Sequence, residues 1–180
     1  MMSRTLLLVG VATLLAGPAL AADMPCAGQQ TRAVKALSDD EIAALRKGEG
    51  MGMAKAAELN GYPGPTHVLQ LAGPLGLTDV QRRDVQAIFN RMSGAAKPLG
   101  GELIAQEQIL DQLFATREIT PDRLAAATTA IAELQGRLRA MHLSAHLETR
   151  ALLTADQIAR YEQLRGYGDR QAPGGHHHHG

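Results

Sequence analysis

Two histidines, His142 and His146, stand four residues apart inside a long helical repeat. On a helix that spacing puts both imidazoles on one face, where they can share one divalent metal. A closed zinc site wants four ligands, and the same helix supplies no third. The competing reading, two solvated histidines beside Arg139 and Arg150, carries more weight. His67 stands alone upstream. His176, His177, His178 and His179 form a Gly-flanked run shorter than a usual purification tag. It reads as a native tail that takes divalent metals loosely. Met51 and Met53, in Gly-Met-Gly-Met, offer thioethers to Cu(I). Methionines so placed are more often adaptable apolar contacts. Gly48 to Gly52 is not a phosphate loop, because no Lys-Ser/Thr follows and no strand precedes it. Cys26 is the one cysteine. In an oxidising compartment it is either free or bridges two chains. No nucleophile–base constellation stands out, so no enzyme is expected. No cofactor is required; Zn, Ni, Co or Cu are the metals these side chains would take.

The elements that must position these residues are helical. Leu77-Thr78-Asp79-Val80-Gln81 and Leu153-Thr154-Ala155-Asp156-Gln157 both read Leu-Thr-x-x-Gln. Thr-x-x-Gln is a capping box: the hydroxyl accepts from the N–H three residues on, and the amide reaches back to the Thr N–H. Ser38 and Glu41 make a third box, opening a short helix through about Lys47. Further short helices are predicted from Met53 to Leu59 and from Thr66 to Ala72. The main body begins at Thr78, with Val85, Ile88, Met92, Ala95, Leu99, Leu103, Leu110 and Leu113 on one stripe. The phase survives Pro98 and Gly100-Gly101, which predicts one kinked helix to about Ala115, about 55 Å long. A turn at 116–120 leads to Pro121 and a second long helix. Its seam is Leu124, Ala127, Ile131, Leu134, Leu138, Met141, Ala145, Glu148 and Leu152, stepping by three and four. The short turn makes the two helices antiparallel neighbours. Glu148 on that seam predicts a buried carboxylate paired with Arg82 or Arg83. A last helix follows from Ala155 to about Arg165. The fold class is all-α: a long antiparallel hairpin with short flanking helices. So thin a hairpin leaves apolar surface exposed, which a homodimer would cover.

The doubled motif resembles the Spy/CpxP-like LTxxQ family of periplasmic proteins, which has chaperone and metal-responsive branches. The resemblance covers about residues 65–165. It implies an antiparallel, cradle-shaped homodimer that holds unfolded or misfolded periplasmic proteins without ATP, or serves envelope stress as an accessory factor. A sensor kinase or an anti-sigma protein in the membrane would be the signalling partner. On the metal-responsive pattern, the ligands before the second motif would fall at Ala145 and Thr149, neither a ligand type. The histidine pair upstream of the first motif is reduced to His67, with Leu71 in the partner's place. For the chaperone branch, the residues expected to touch clients are Leu69, Leu75, Ile104 and Ile109, taken as exposed. Spy-type cradles tend to be basic. This chain is neutral, so its clients or affinity are expected to differ.

Composition and ends agree with an exported helical protein. The net charge is zero, against the basic excess of a nucleic-acid binder. Aromatics are 3% with no Trp, as in helices packed by small and branched aliphatics. Arg4, the apolar run Leu6 to Leu15 and Ala19-Leu20-Ala21 read as a cleavable signal peptide. The expected organisation is a signal peptide over 1–21, an arm with short helices over 22–64, the helical domain over 65–165, and a disordered Gly/His-rich tail over 166–180. The mature protein is expected to be soluble in the periplasm, starting at Ala22.

Overall fold

Three side chains start three helices in the same way. Ser38, Thr78 and Thr154 hold extended backbone, accept from the third N–H on, and receive Glu41, Gln81 and Gln157 in return. All three predicted capping boxes are therefore present. The computed structural model describes residues 26–167. The signal segment and the histidine tail lie outside the described residues.

Residues up to Gln30 form a unit of their own, described here only as a turn in which the Gln29 N–H donates to the Cys26 carbonyl at 3.1 Å. Cys26 is exposed. The second unit carries six α-helices: α1 (Asp39–Lys47), α2 (Lys55–Glu58), α3 (Pro65–Gln70), α4 (Asp79–Ala115), α5 (Pro121–Leu152) and α6 (Ala155–Leu164). It contains an isolated bridge between Val34 and Leu37 and, among the described residues, no strand.

The hairpin is α4 against α5. Pro98 lies inside α4. Pro98 and Gly94, whose carbonyl loses its partner, both face solvent, so the missing hydrogen bond falls on the wet side. One core cluster joins Ile42 and Leu45 of α1 to Ala96, Leu99, Leu103, Ile104, Ile131, Leu134 and Leu138 of the hairpin. Another, at the motif end, joins Val68, Leu75, Leu77, Val85, Leu153 and Tyr161. Ile88, Met92 and Ala145 lie in a third.

The seam of α5 departs from the expected register. Ala127, Ile131, Leu134 and Leu138 are buried as predicted, but Leu124 is exposed. Past Leu138 the fully buried line runs through His142, Ala145 and Thr149; Met141 is half-buried against two core clusters, and Glu148 is off the seam. A straight helix drifts about 20° per heptad against a 3.5-residue repeat. Over two heptads that turns the seam by about 40°, less than half of the roughly 100° between successive residues, so it tips the balance from Met141 toward His142 and from Glu148 toward Thr149 while Ala145 stays inward in both registers. Glu148 is thereby exposed, and it pairs with Arg91 at 2.5 Å rather than with Arg82 or Arg83. Thr149 is tolerated at 0% exposure because its hydroxyl donates to the Ala145 carbonyl at 2.7 Å. On α4 the buried alanine is Ala96; Ala95 is exposed.

Gly100 has a packing role that the kink reading missed. A Cβ there would stand 2.3 Å from the Leu45 carbonyl oxygen, so the end of α1 rests directly on the α4 backbone. Gly101 faces open space. Gly100→Ala is expected to cost about 2 kcal/mol by overpacking, and Gly101→Ala to be neutral or stabilising. Urea denaturation of the two variants checks this; equal stability would contradict the contact.

Candidate functional site

The two Leu-Thr-x-x-Gln motifs are 76 residues apart in sequence and meet side chain to side chain. The Gln81 amide donates to Gln157 Oε1 at 2.8 Å, and the Gln157 amide donates back to Gln81 Oε1 at 3.1 Å. Each Oε1 also accepts its own Thr N–H at 3.0 Å. The second amide hydrogen of Gln81 goes to the Leu152 carbonyl at 2.8 Å, an orphan acceptor at the end of α5. That of Gln157 reaches the Leu75 and Gly76 carbonyls at 3.4 and 3.5 Å. One amide pair thus starts α4, starts α6 and ends α5. A carboxylate would cap a helix equally well, as Glu41 does, but it has no hydrogen to donate to the other motif.

His142 and His146 do share a face of α5, but it is not a solvated one. The segment 48–64 lies over it. His142 is 3% exposed, and its Nε2 is buried with no hydrogen-bond partner. A Cβ on Gly50 would stand 3.2 Å from its Nδ1. The Nδ1 of His146 is 2.6 Å from the Tyr62 carbonyl, and Gly64 covers the rest of the ring. Arg150 stacks on the Tyr62 ring at 4.7 Å. The two imidazoles are committed to different stretches of the covering segment, so the structure does not gather them on one metal. His67 lies 3.4 Å from Glu58, the same carboxylate that His146 approaches at 3.7 Å, and away from His142. Among the described residues, no group of three or more His, Cys, Asp or Glu is arranged to hold a metal ion. Met53 is half-buried against the core and Met51 is exposed.

Glu58 is the residue that sequence reasoning missed. Its carboxylate is 11% exposed. It accepts a short hydrogen bond from the Tyr161 hydroxyl and a longer one, 3.3 Å, from Tyr167. Arg165 Nε lies at 3.5 Å, His146 Nδ1 at 3.7 Å, and the Gly64 N–H donates at 3.3 Å. Burial first, then the Glu58 contact, hold the Tyr161 phenol above its ordinary range. One faint signal was available. The chain has three tyrosines, and two of them, Tyr161 and Tyr167, donate to this carboxylate, while the Tyr62 backbone carbonyl holds His146 beside it. In a chain so poor in aromatics, Tyr161 and Tyr167 are candidates for a shared polar partner.

The model of the heavy-metal resistance family matches residues 43–160. The chain belongs to that family. This agrees with the family resemblance carried by the doubled motif. No curated protein and no solved structure matches the chain significantly.

The matched region of this heavy-metal resistance family member includes both motifs, the C-terminal half of α1 and the histidine face. Two of the four residues expected to touch clients are not on its surface. Leu75 and Ile104 are 6% and 5% exposed, because Leu75 closes the motif-end cluster and Ile104 faces the core on α4. Leu69 is half-buried against the motif-end cluster; Ile109 is exposed. Besides Ile109, the exposed large apolar residues among those described are Val80, Leu147 and Leu164 near the motifs, Phe114 and Leu124 near the α4–α5 turn, and Met51 and Leu59 in the covering segment. An open groove between α5 and α6 is lined by Leu147, Ala151, Leu153 and Ile158, together with Arg150 and Glu162. Among the described residues no helix is long and apolar enough to cross a membrane.

Proposed function

We propose that this protein is a periplasmic, ATP-independent chaperone-like factor of the Spy/CpxP type. It holds unfolding proteins on exposed apolar surface, and it works as a homodimer. The observation that carries the reading is the α5–α6 groove, whose lining combines apolar side chains, the exposed Leu147 among them, with Arg150 and Glu162. Apolar area left uncovered on a folded chain marks an interaction surface. A lining that carries both charge signs suits clients of mixed sequence. The test is suppression of aggregation of a chemically denatured reporter protein. The parent chain should protect it. Leu147→Asp combined with Val80→Asp, both on exposed positions, should lose most of that protection while keeping helical content. Full protection by the double variant would move the site elsewhere. Sedimentation at micromolar concentration checks the dimer; a monomer counts against it.

The family's description and the histidine run favour a second reading, metal binding, carried by His176 to His179. Zinc titration of the full chain and of a chain ending at Gly175 separates the two readings. Tail-dependent uptake without aggregation suppression supports the metal reading alone.

A further inference from the structure

His142 and His146 lie one turn apart on α5 under the same covering segment, in opposite electrostatic surroundings. His146 is at the carboxylate end, with Glu58 Oε2 at 3.7 Å and Tyr62 clamped between its ring and Arg150. His142 is at the glycine end, with the Gly50 backbone resting on its ring and no partner for Nε2. The charged groups brought there by each element are few. The covering segment carries Glu49, exposed and 3.8 Å from Lys47, and the exposed Lys55. From α4 comes the exposed Lys97, beside Gly48. On α5 itself there is His146. Only His146 registers on the ring, and its charge opposes a second one. The backbone over His142 is a chain of turns, in which the Met53 N–H donates to the Gly50 carbonyl at 2.7 Å, and it is not helix. Gly48, Met51 and Gly52 all have positive φ, and Met51 at +41° is not a glycine. Helix resumes only at Lys55.

We propose that protonation of His142 lifts the Gly50–Met53 stretch off α5 while the Glu58 end stays seated, an acid-operated flap that adds apolar surface for client holding. The last clause rests on the proposed function; the flap does not. An imidazolium has two N–H donors, and in the closed state one of them meets no acceptor in a dry interior. Moving Gly50 aside admits water to the ring. Met53 packs against the cluster shared by α1, α4 and α5, so the same movement uncovers its edge. At the other end, protonation of His146 or His67 adds attraction to the Glu58 carboxylate. Acid therefore loosens one end of the segment and not the other.

The direction with pH follows from burial. Burial first, then the charge of His146, hold the His142 imidazole below its ordinary value. The closed state's stability is then fully present above about pH 6.5 and is lost as the pH falls through the lower folded-state value.

Hydrogen exchange of the full chain at pH 7.5 and 5.5, corrected for the intrinsic rate, tests the flap. Peptides over 49–54 should exchange roughly fivefold faster or more at the lower pH, and peptides over 58–64 should not. His142→Phe fills the same space without a proton and should abolish the rise. No rise in the parent, or the same rise in folded His142→Phe, overturns the flap. Should His142→Phe fail to fold, NMR titration of the parent decides. A His142 midpoint below the ordinary imidazole value, followed by the 50–54 amide shifts, supports the flap; a midpoint at or above it, or amide shifts that do not follow, overturns it. Aggregation suppression at the same two pH values should be stronger at pH 5.5. Equal suppression with the flap open removes its link to holding. No suppression at either pH removes the client reading and leaves the flap standing.

Discussion

Glu58→Ala is expected to lower the unfolding free energy by about 4 kcal/mol, because it strips a buried network of its only anion. The carboxylate binds four separate parts of the chain to α2: the Gly64 N–H ahead of α3, His67 on α3, His146 on α5, and Tyr161 and Arg165 at α6. Removing it leaves the Tyr161 hydroxyl, on a side chain 1% exposed, without its acceptor. Arg165 loses its counter-charge at the same time. Glu58→Gln keeps an oxygen for Tyr161 but not the charge, so about half the loss is expected. Urea unfolding followed by helical circular dichroism measures both. A cost under about 1 kcal/mol for Glu58→Ala would mean that the network is solvated and holds nothing.

The second large effect is at the paired motifs. Gln81→Ala should cost about 3 kcal/mol, since it deletes a cap, two bonds to Gln157 and the bond to Leu152. Gln157→Ala should cost less, because its outer contacts at Leu75 and Gly76 are long. The double variant should cost at least about 1 kcal/mol less than the two losses added, which is the signature of direct coupling. Gln81→Glu gives the sharper result. It preserves the capping box, yet it sets an acceptor-only group against Gln157 Oε1 and the Leu152 carbonyl. It should therefore be clearly destabilising above the carboxylate range and recover in part as acid protonates it. If Gln81→Glu is as stable as the parent at neutral pH, the amide pair is not what joins the motifs.

Much of this protein is legible in its sequence, because local physics decides it. Helix starts are written in Ser38, Thr78, Thr120 and Thr154, each of which satisfies an N–H within its own first turn. The two long helices follow from the 3–4 spacing of aliphatics, and their antiparallel pairing from the short turn at 116–120. The family, too, is carried by a five-residue pattern that occurs twice. None of this needs knowledge of which segments meet.

What required the tertiary structure was every case in which a residue's role depends on a distant neighbour. His142 looked solvated because nothing on α5 says that 48–64 covers it. Glu148 and Thr149 exchanged places because a small drift per heptad, summed along a long helix, is enough to decide which of two adjacent residues flanking the seam turns inward. Ile104 proved to be core because an apolar residue on the hairpin has two possible faces and only the packing of α1 selects one, and Leu75 because the turn between α3 and α4 folds into the motif-end cluster. Glu58 sits in a stretch with no periodic signal, and its partners come from the far end of the chain. The glutamines show the division most sharply. From sequence, Gln81 and Gln157 are interchangeable with the Glu41 type of cap. Only the fold, by bringing the two amides together, requires a side chain that both accepts and donates.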